Sequence, residues 1–188
     1  ALDFLASDAA LATQTLWVMR INHLKTQAGL EDLLALRGAN RLPAAVMLPK
    51  VESVFEVETA VAHLHGPGRS PAIVALIESG RGLGEAEAIA AHPAVGALAF
   101  GGADLAADLG AEMAWEPLLF ARSRIIQAAA TRHIAAWDVP YLGLRDAHGL
   151  AQEAAAAKAL GFCAKLAIHP AHVGQINQLF SPTSRQQE

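Results

Sequence analysis

Glu78 closes an apolar run over residues 72–77, and Asp104 follows another over 95–100. The two acids stand 26 residues apart, about one strand–helix–strand repeat. If the runs are neighbouring parallel strands, both carboxylates emerge at the same end of one sheet. Two hard oxygen ligands there hold a divalent cation such as magnesium, which takes one or two carboxylates and completes its shell with water and substrate. The same spacing suits two ordinary strand-end acids that cap helices or pair with Arg81, and spacing alone leaves both readings open.

Other strand ends carry chemistry of their own. Arg20 ends the first apolar run. A guanidinium there either grips a substrate carboxylate with two parallel hydrogen bonds or closes the rim as a salt bridge. Gly101-Gly102-Ala103 either brings the backbone close to a ligand or makes a tight strand-to-helix turn. Gly80-Arg81-Gly82-Leu83-Gly84 follows neither the Walker nor the dinucleotide spacing, which argues against a nucleotide. Lys165 and His169 flank the last run. The lysine suits a phosphate, a carboxylate or a Schiff base, or simply snorkels. His169, ahead of Pro170, suits a backbone hydrogen bond. Asp138 is a candidate acid/base group, with a helix N-cap as its plainer role. The remaining histidines have no metal-motif spacing, and no Gly-x-Ser-x-Gly elbow is present.

The elements that must position these residues alternate regularly. Apolar runs at 16–21, 44–48, 72–77, 95–100, 134–137 and 163–168 read as strands. Helical patterns at 29–37, 53–64, 83–91, 118–131, 149–160 and 173–180 follow them in turn, with Ser53 and Glu56 spaced as a capping box. Six units of this kind in 188 residues predict one α/β domain, residues 1–188, with a parallel sheet buried on both faces. Nearly every run ends in a polar residue: Arg20, Asn22, Lys50, Glu78, Asp104, Asp138, Lys165 and His169. An open doubly wound sheet uses only the strands at its switch point, whereas a (β/α)8 barrel gathers all its strand ends on one pocket. The pattern therefore favours a TIM-type barrel, of which the chain carries six strands.

Composition narrows the function. Hydrophobic residues make up 53% and charged residues 17%, and the net charge of −4 comes with no basic stripe. That argues against nucleic-acid binding and against an electrostatic membrane anchor. One cysteine, Cys163, excludes a disulfide within the chain and any zinc-type cysteine cluster, and a reducing cytoplasm is the expected compartment.

Taken together in order, Arg20-Ile21-Asn22, Leu48-Pro49-Lys50-Val51-Glu52-Ser53, Leu76-Ile77-Glu78-Ser79-Gly80-Arg81-Gly82, Phe100-Gly101-Gly102-Ala103-Asp104-Leu105, Ala121-Arg122-Ser123 and Lys165-Leu166-Ala167-Ile168-His169-Pro170 resemble the HpcH/HpaI aldolase and citrate lyase beta-subunit family. The resemblance covers almost the whole chain. It implies a (β/α)8 barrel and a Mg2+-dependent carbon–carbon lyase. Such an enzyme splits or forms a 3-hydroxy acyl thioester, with an oxoacid such as oxaloacetate as the other partner. On that pattern Glu78 and Asp104 ligate Mg2+ and serve catalysis with Arg20. Arg20, Glu78, Gly102 and Ala103 contact the oxoacid. Lys165 and His169 lie toward the thioester carrier, either coenzyme A or an acyl carrier protein. A homo-oligomer, such as a trimer, is also implied.

The chain departs from the pattern in several places. The family's first two strands, with an acidic motif on the second, have no counterpart before Leu16, so the chain is expected to cover strands three to eight. The C-terminal helical extension has no counterpart after Phe180-Ser181-Pro182, so incompleteness at both ends is expected. Ser79 stands where Thr is commoner and Ala164 where Gly is usual. Trp137-Asp138-Val139-Pro140 replaces the usual Asp-Gly-Val-Tyr. These departures keep two alternatives open: a thioesterase or malate-synthase-like member of the family, and a non-catalytic oxoacid-binding remnant.

Overall fold

Among the described residues, six strands form a single parallel sheet in strict sequence order. They are β1 (Val18–Arg20), β2 (Ala45–Leu48), β3 (Ala72–Ile77), β4 (Val95–Phe100), β5 (Ala135–Asp138) and β6 (Ala164–Lys165). This computed structural model describes residues 2–5, 7 and 15–181. The order never reverses, so no switch point exists, and every carboxyl end emerges on one edge. That is the topology of a (β/α) barrel rather than of a doubly wound sheet.

The helices are α1 (Leu2–Leu5), α2 (Gln27–Gly38), α3 (Val54–Leu64), α4 (Gly80–Ala90), α5 (Gly102–Leu109), α6 (Leu119–Ala130), α7 (Ala147–Leu160) and α8 (Pro170–Phe180). Side chains alternate across each strand. Val46, Leu48, Ile73, Ile77, Leu98 and Phe100 pack outward into the main core under the helices. Ala45, Met47, Val74, Leu76, Ala97 and Ala99 form a second, smaller layer on the other face. Both faces are apolar, which is why the strands are hydrophobic at nearly every position.

β3 and β4 coincide with the runs read from sequence. β1 and β6 are shorter than their runs, because each lies at an edge of the sheet and pairs on one side only. Four helices, α2, α4, α7 and α8, start earlier than the apolar pattern shows. α4 begins at Gly80, inside the glycine-rich stretch, because Ser79 caps it by accepting the Gly82 N–H at 3.1 Å. A Cβ at Gly82 would stand 2.5 Å from the Val51 carbonyl oxygen, so glycine lets α4 approach the loop after β2. α5, where sequence shows only a glycine turn, is a full helix of 8 residues. The expected Ser53–Glu56 capping box does not form. Ser53 makes no side-chain cap bond, and Glu56 instead accepts the Glu52 N–H at 3.2 Å and pairs with Lys25 at 2.9 Å. Residues 182–188 of the polar tail lie outside the described residues.

Leu98 is fully buried at the centre of the main core. Leu98→Ala is expected to lower stability by about 2–5 kcal/mol, through lost transfer energy and a residual cavity. Urea unfolding with an unchanged m-value checks this.

Candidate active site at the carboxyl ends of the strands

β3 and β4 pair up to Ile77 opposite Phe100, which sets the next residues, Glu78 and Gly101, side by side. Glu78 is only 4% exposed. Its Oε1 accepts the Lys50 backbone N–H at 2.9 Å. Asp104 sits in the first turn of α5, where the helix N-terminus favours a negative charge. Its Oδ1 accepts a hydrogen bond from Lys50 Nζ at 2.8 Å. The two carboxyl groups lie close enough to act on each other's ionisation. A Cβ on Gly101 would stand 2.8 Å from Glu78 Cβ and 2.9 Å from its Oε2, so only glycine leaves room for that carboxylate.

The pair titrates as one unit. Burial pushes the Glu78 carboxyl above the usual carboxylate range, and the Asp104 charge adds to this against the Lys50 N–H and the field of Arg20. The Lys50 ammonium holds Asp104 below that range. Two facing acids of this kind, one reluctant to ionise, are a donor set that a divalent cation would satisfy. With water and a chelating oxoacid they fill the coordination that magnesium prefers, so the residues present fit that ion. No group of three or more metal-type side chains exists among the described residues.

Arg20 ends β1, is exposed, and reaches this pair through its field. Gly102 and Ala103 occupy the first turn of α5. There the first backbone N–H groups have no partner within the helix. Arg20, Asn22, His23, Thr26 and Lys50 line an open cleft of about 410 Å3 at the mouth of the sheet. A larger groove of about 450 Å3, lined by Leu30, Phe55 and Arg81, opens on the helix side of Glu52; neither Glu78 nor Asp104 lines either hollow. Glu52 belongs to a support beneath the site. It binds Lys25 at 2.7 Å and accepts Ser79 Oγ at 2.9 Å, and both bonds hold its carboxyl below the usual range. Neither site carboxylate forms an ion pair with Arg81 among the described residues; the cation on Asp104 is Lys50.

Residues 1–170 match the family model described as HpcH/HpaI aldolase/citrate lyase. The chain belongs to that family. It is 32% identical to the mitochondrial citramalyl-CoA lyase of Homo sapiens over 182 residues, with 88% of this chain covered. The chain spans only 54% of that relative's length. Among solved structures it is similar to RipC from Yersinia pestis, with a TM-score of 0.86 and 42% identity over 91% of this chain and 79% of that one. The citrate lyase beta subunit from M. tuberculosis, complexed with oxaloacetate and magnesium, superposes with a TM-score of 0.76 and 32% identity. That match covers 88% of this chain and 73% of the other.

Within this citrate lyase-like frame, the last two strand ends differ from what the sequence suggests. Lys165 is buried, and its ammonium donates to Asp138 Oδ2 at 2.6 Å, Val139 O at 2.7 Å and Glu153 Oε1 at 2.6 Å. All three protons are taken, which leaves none for a thioester carrier. Asp138 is fully buried and caps no helix; α7 is capped by Asp146. Its second oxygen accepts Arg122 Nε at 3.1 Å. The Arg122 guanidinium lies 4.8 Å from the Phe100 ring centre and 4.5 Å from that of Trp115. His169 is the N-cap of α8, where Nδ1 accepts the Ala171 N–H at 3.2 Å, the backbone role read for it from sequence. Sequence reasoning missed Lys50 as a site residue and the Arg122–Asp138–Lys165–Glu153 cluster. Its visible signal is two charges of opposite sign ending adjacent apolar strands.

Removing one member of a buried cluster strands the others. Lys165→Met is expected to cost about 3–5 kcal/mol in urea unfolding, because Asp138 and Glu153 lose their shared cation.

Proposed function

We propose that this chain carries the metal- and oxoacid-binding part of a Mg2+-dependent carbon–carbon lyase acting on a 3-hydroxy acyl thioester. The observation that supports it best is the convergence of Glu78 and Asp104 at adjacent strand ends, within the field of Arg20 and beside the open N-terminus of α5. The relatives act on, or are found with, ligands of this class: a citramalyl-CoA lyase, and a citrate lyase beta subunit bound to oxaloacetate and magnesium.

When bound, the metal supplies Lewis acidity at the oxygen next to the substrate carboxylate. Glu78 and Asp104 would hold it, with the Glu78 carboxylate itself placed by the room that Gly101 leaves. Arg20 pairs with the oxoacid carboxylate and orients it. The N–H groups of Gly102 and Ala103, at the start of α5, donate to the same carboxylate. In cleavage, the hydroxyl gives up its proton and becomes the carbonyl of the oxoacid, the bond to the thioester α-carbon breaks, and its electron pair leaves on that carbon as the thioester enolate, which takes up a proton. Arg20 and the α5 N-terminus then face the same charge before and after the step. Coenzyme A or an acyl carrier protein as the thioester carrier, a homo-oligomer and a cytoplasmic location belong to the same proposal. Among the described residues no helix is long and apolar enough to cross a membrane.

Calorimetric titration tests the assignment. Glu78→Gln and Asp104→Asn are each expected to remove measurable Mg2+-dependent binding of oxaloacetate, pyruvate and glyoxylate. Arg20→Ala is expected to weaken the oxoacid by about tenfold to a hundredfold, the range for a charge-assisted bond. Unchanged Mg2+ affinity in both carboxylate variants would refute the metal site.

The raised Glu78 carboxyl gives a pH signature. In the metal-free protein the folded state holds this proton more tightly than the unfolded chain does. That contribution to stability is present at acid pH and is lost as pH rises through the raised Glu78 value. Mg2+ binding needs the proton gone, so its affinity falls as pH drops through the same value, above the ordinary glutamate range of about 4.3. Melting temperatures with and without Mg2+ between about pH 4.5 and 7.5 should diverge as pH rises.

A further inference from the structure

Lys50 stands out on backbone grounds first. Its φ is +52°, and among the described residues only one other non-glycine residue, His133, shares the left-handed region. An L-residue is strained in that conformation, and glycine would not be. A glycine here would keep both the turn and the N–H bond to Glu78, since both belong to the backbone. What glycine would lose is the ammonium on Asp104. A strained residue kept at a site points to its side chain as the reason.

The contacts show what that side chain does. Lys50 holds both acids at once, Glu78 through its main chain and Asp104 through its tip. Arg20 makes no hydrogen bond to either among the described residues and acts on them only through its field. The Lys50 and Asp104 side chains are 47% and 49% exposed, so the ammonium leaves the pair without crossing any packed layer. Lys165, fully buried with three acceptors, has no such freedom. The Asp104 oxygen that holds the ammonium at 2.8 Å is also the one a magnesium ion would take at about 2.1 Å.

We propose that Lys50 is a displaceable counter-ion for the Glu78–Asp104 pair. It occupies Asp104 when the metal is absent, yields that oxygen when a divalent cation binds, and is then free to meet the carboxylate of a 2-oxoacid. This deepens the metal-site reading given above and rests on it. Two consequences follow. The metal-free site stays close to neutral and folded. Metal and oxoacid bind more tightly together than apart, because the ion that one displaces is a partner for the other.

Mn2+ binding, followed by the electron paramagnetic resonance of the free ion, tests this without turnover. Lys50→Met and Lys50→Gly are expected to bind Mn2+ alone roughly three- to five-fold more tightly than wild type, the worth of an exposed ion pair. Lys50→Arg should stay within about twofold of wild type. Pyruvate should tighten Mn2+ binding in wild type and do so less in Lys50→Met. In protein whose lysines carry 13C-methyl labels, the Lys50 signal, assigned by its loss in Lys50→Arg, should move on adding Mg2+. Equal or weaker Mn2+ binding by Lys50→Met, or a stationary Lys50 signal, overturns the counter-ion role while leaving the metal site standing. Wild-type protein that binds no Mn2+, or binds it undiminished after Glu78→Gln and Asp104→Asn, removes the metal site and this inference with it.

Discussion

The in-order parallel pairing of β2, β3 and β4 is the constraint on which the rest depends. Pairing sets Leu48 beside Ala75 and Ile77 beside Phe100. From there the chain has no choice about where Lys50, Glu78 and Gly101 stand, since each lies one or two residues beyond a paired position. Arg20, opposite Met47 on the neighbouring strand, joins them by the same rule. The two apolar layers enforce that register, because a slip of one residue would turn each strand's outward side chains inward. Packing between helices and sheet therefore fixes the positions of charges that take no part in packing.

Two ion systems sit on that edge, and they differ in kind. Asp138, Lys165 and Arg122 are buried and tied to one another, with the Arg122 guanidinium lying over two rings. Desolvation makes such a cluster costly to assemble and costlier to break. Lys50 and Asp104 are half exposed, and the bond between them exchanges with solvent at little cost. The fixed cluster joins β5, β6, α6 and α7 into one block. The loose pair sits where chemistry would need a charge to move.

Much of this was legible in the chain, and what was not has physical reasons. β3 and β4 are apolar runs ended by a charge or by glycines, and their bounds need no tertiary knowledge. β1 and β6 shrink because strand length is a property of the pair, and an edge strand has a partner on one side only. α5 is hidden because its first residues, Gly101-Gly102-Ala103, carry the composition of a turn. The acid pair was visible from its spacing. Lys50 was not, because nothing in Pro49-Lys50-Val51 announces a positive φ. The Lys165 environment needed Asp138 and Glu153 placed in space, and they lie 27 and 12 residues away.

Gly101 lends the site a property unlike that of its charged members. Its contribution is a volume left empty, into which the Glu78 carboxylate fits. A charge can be replaced by another charge, but an omitted side chain has no substitute among the other nineteen amino acids. Variation at this edge is therefore filtered by shape before chemistry is tested. The residue that does nothing is held as tightly as the residue that binds.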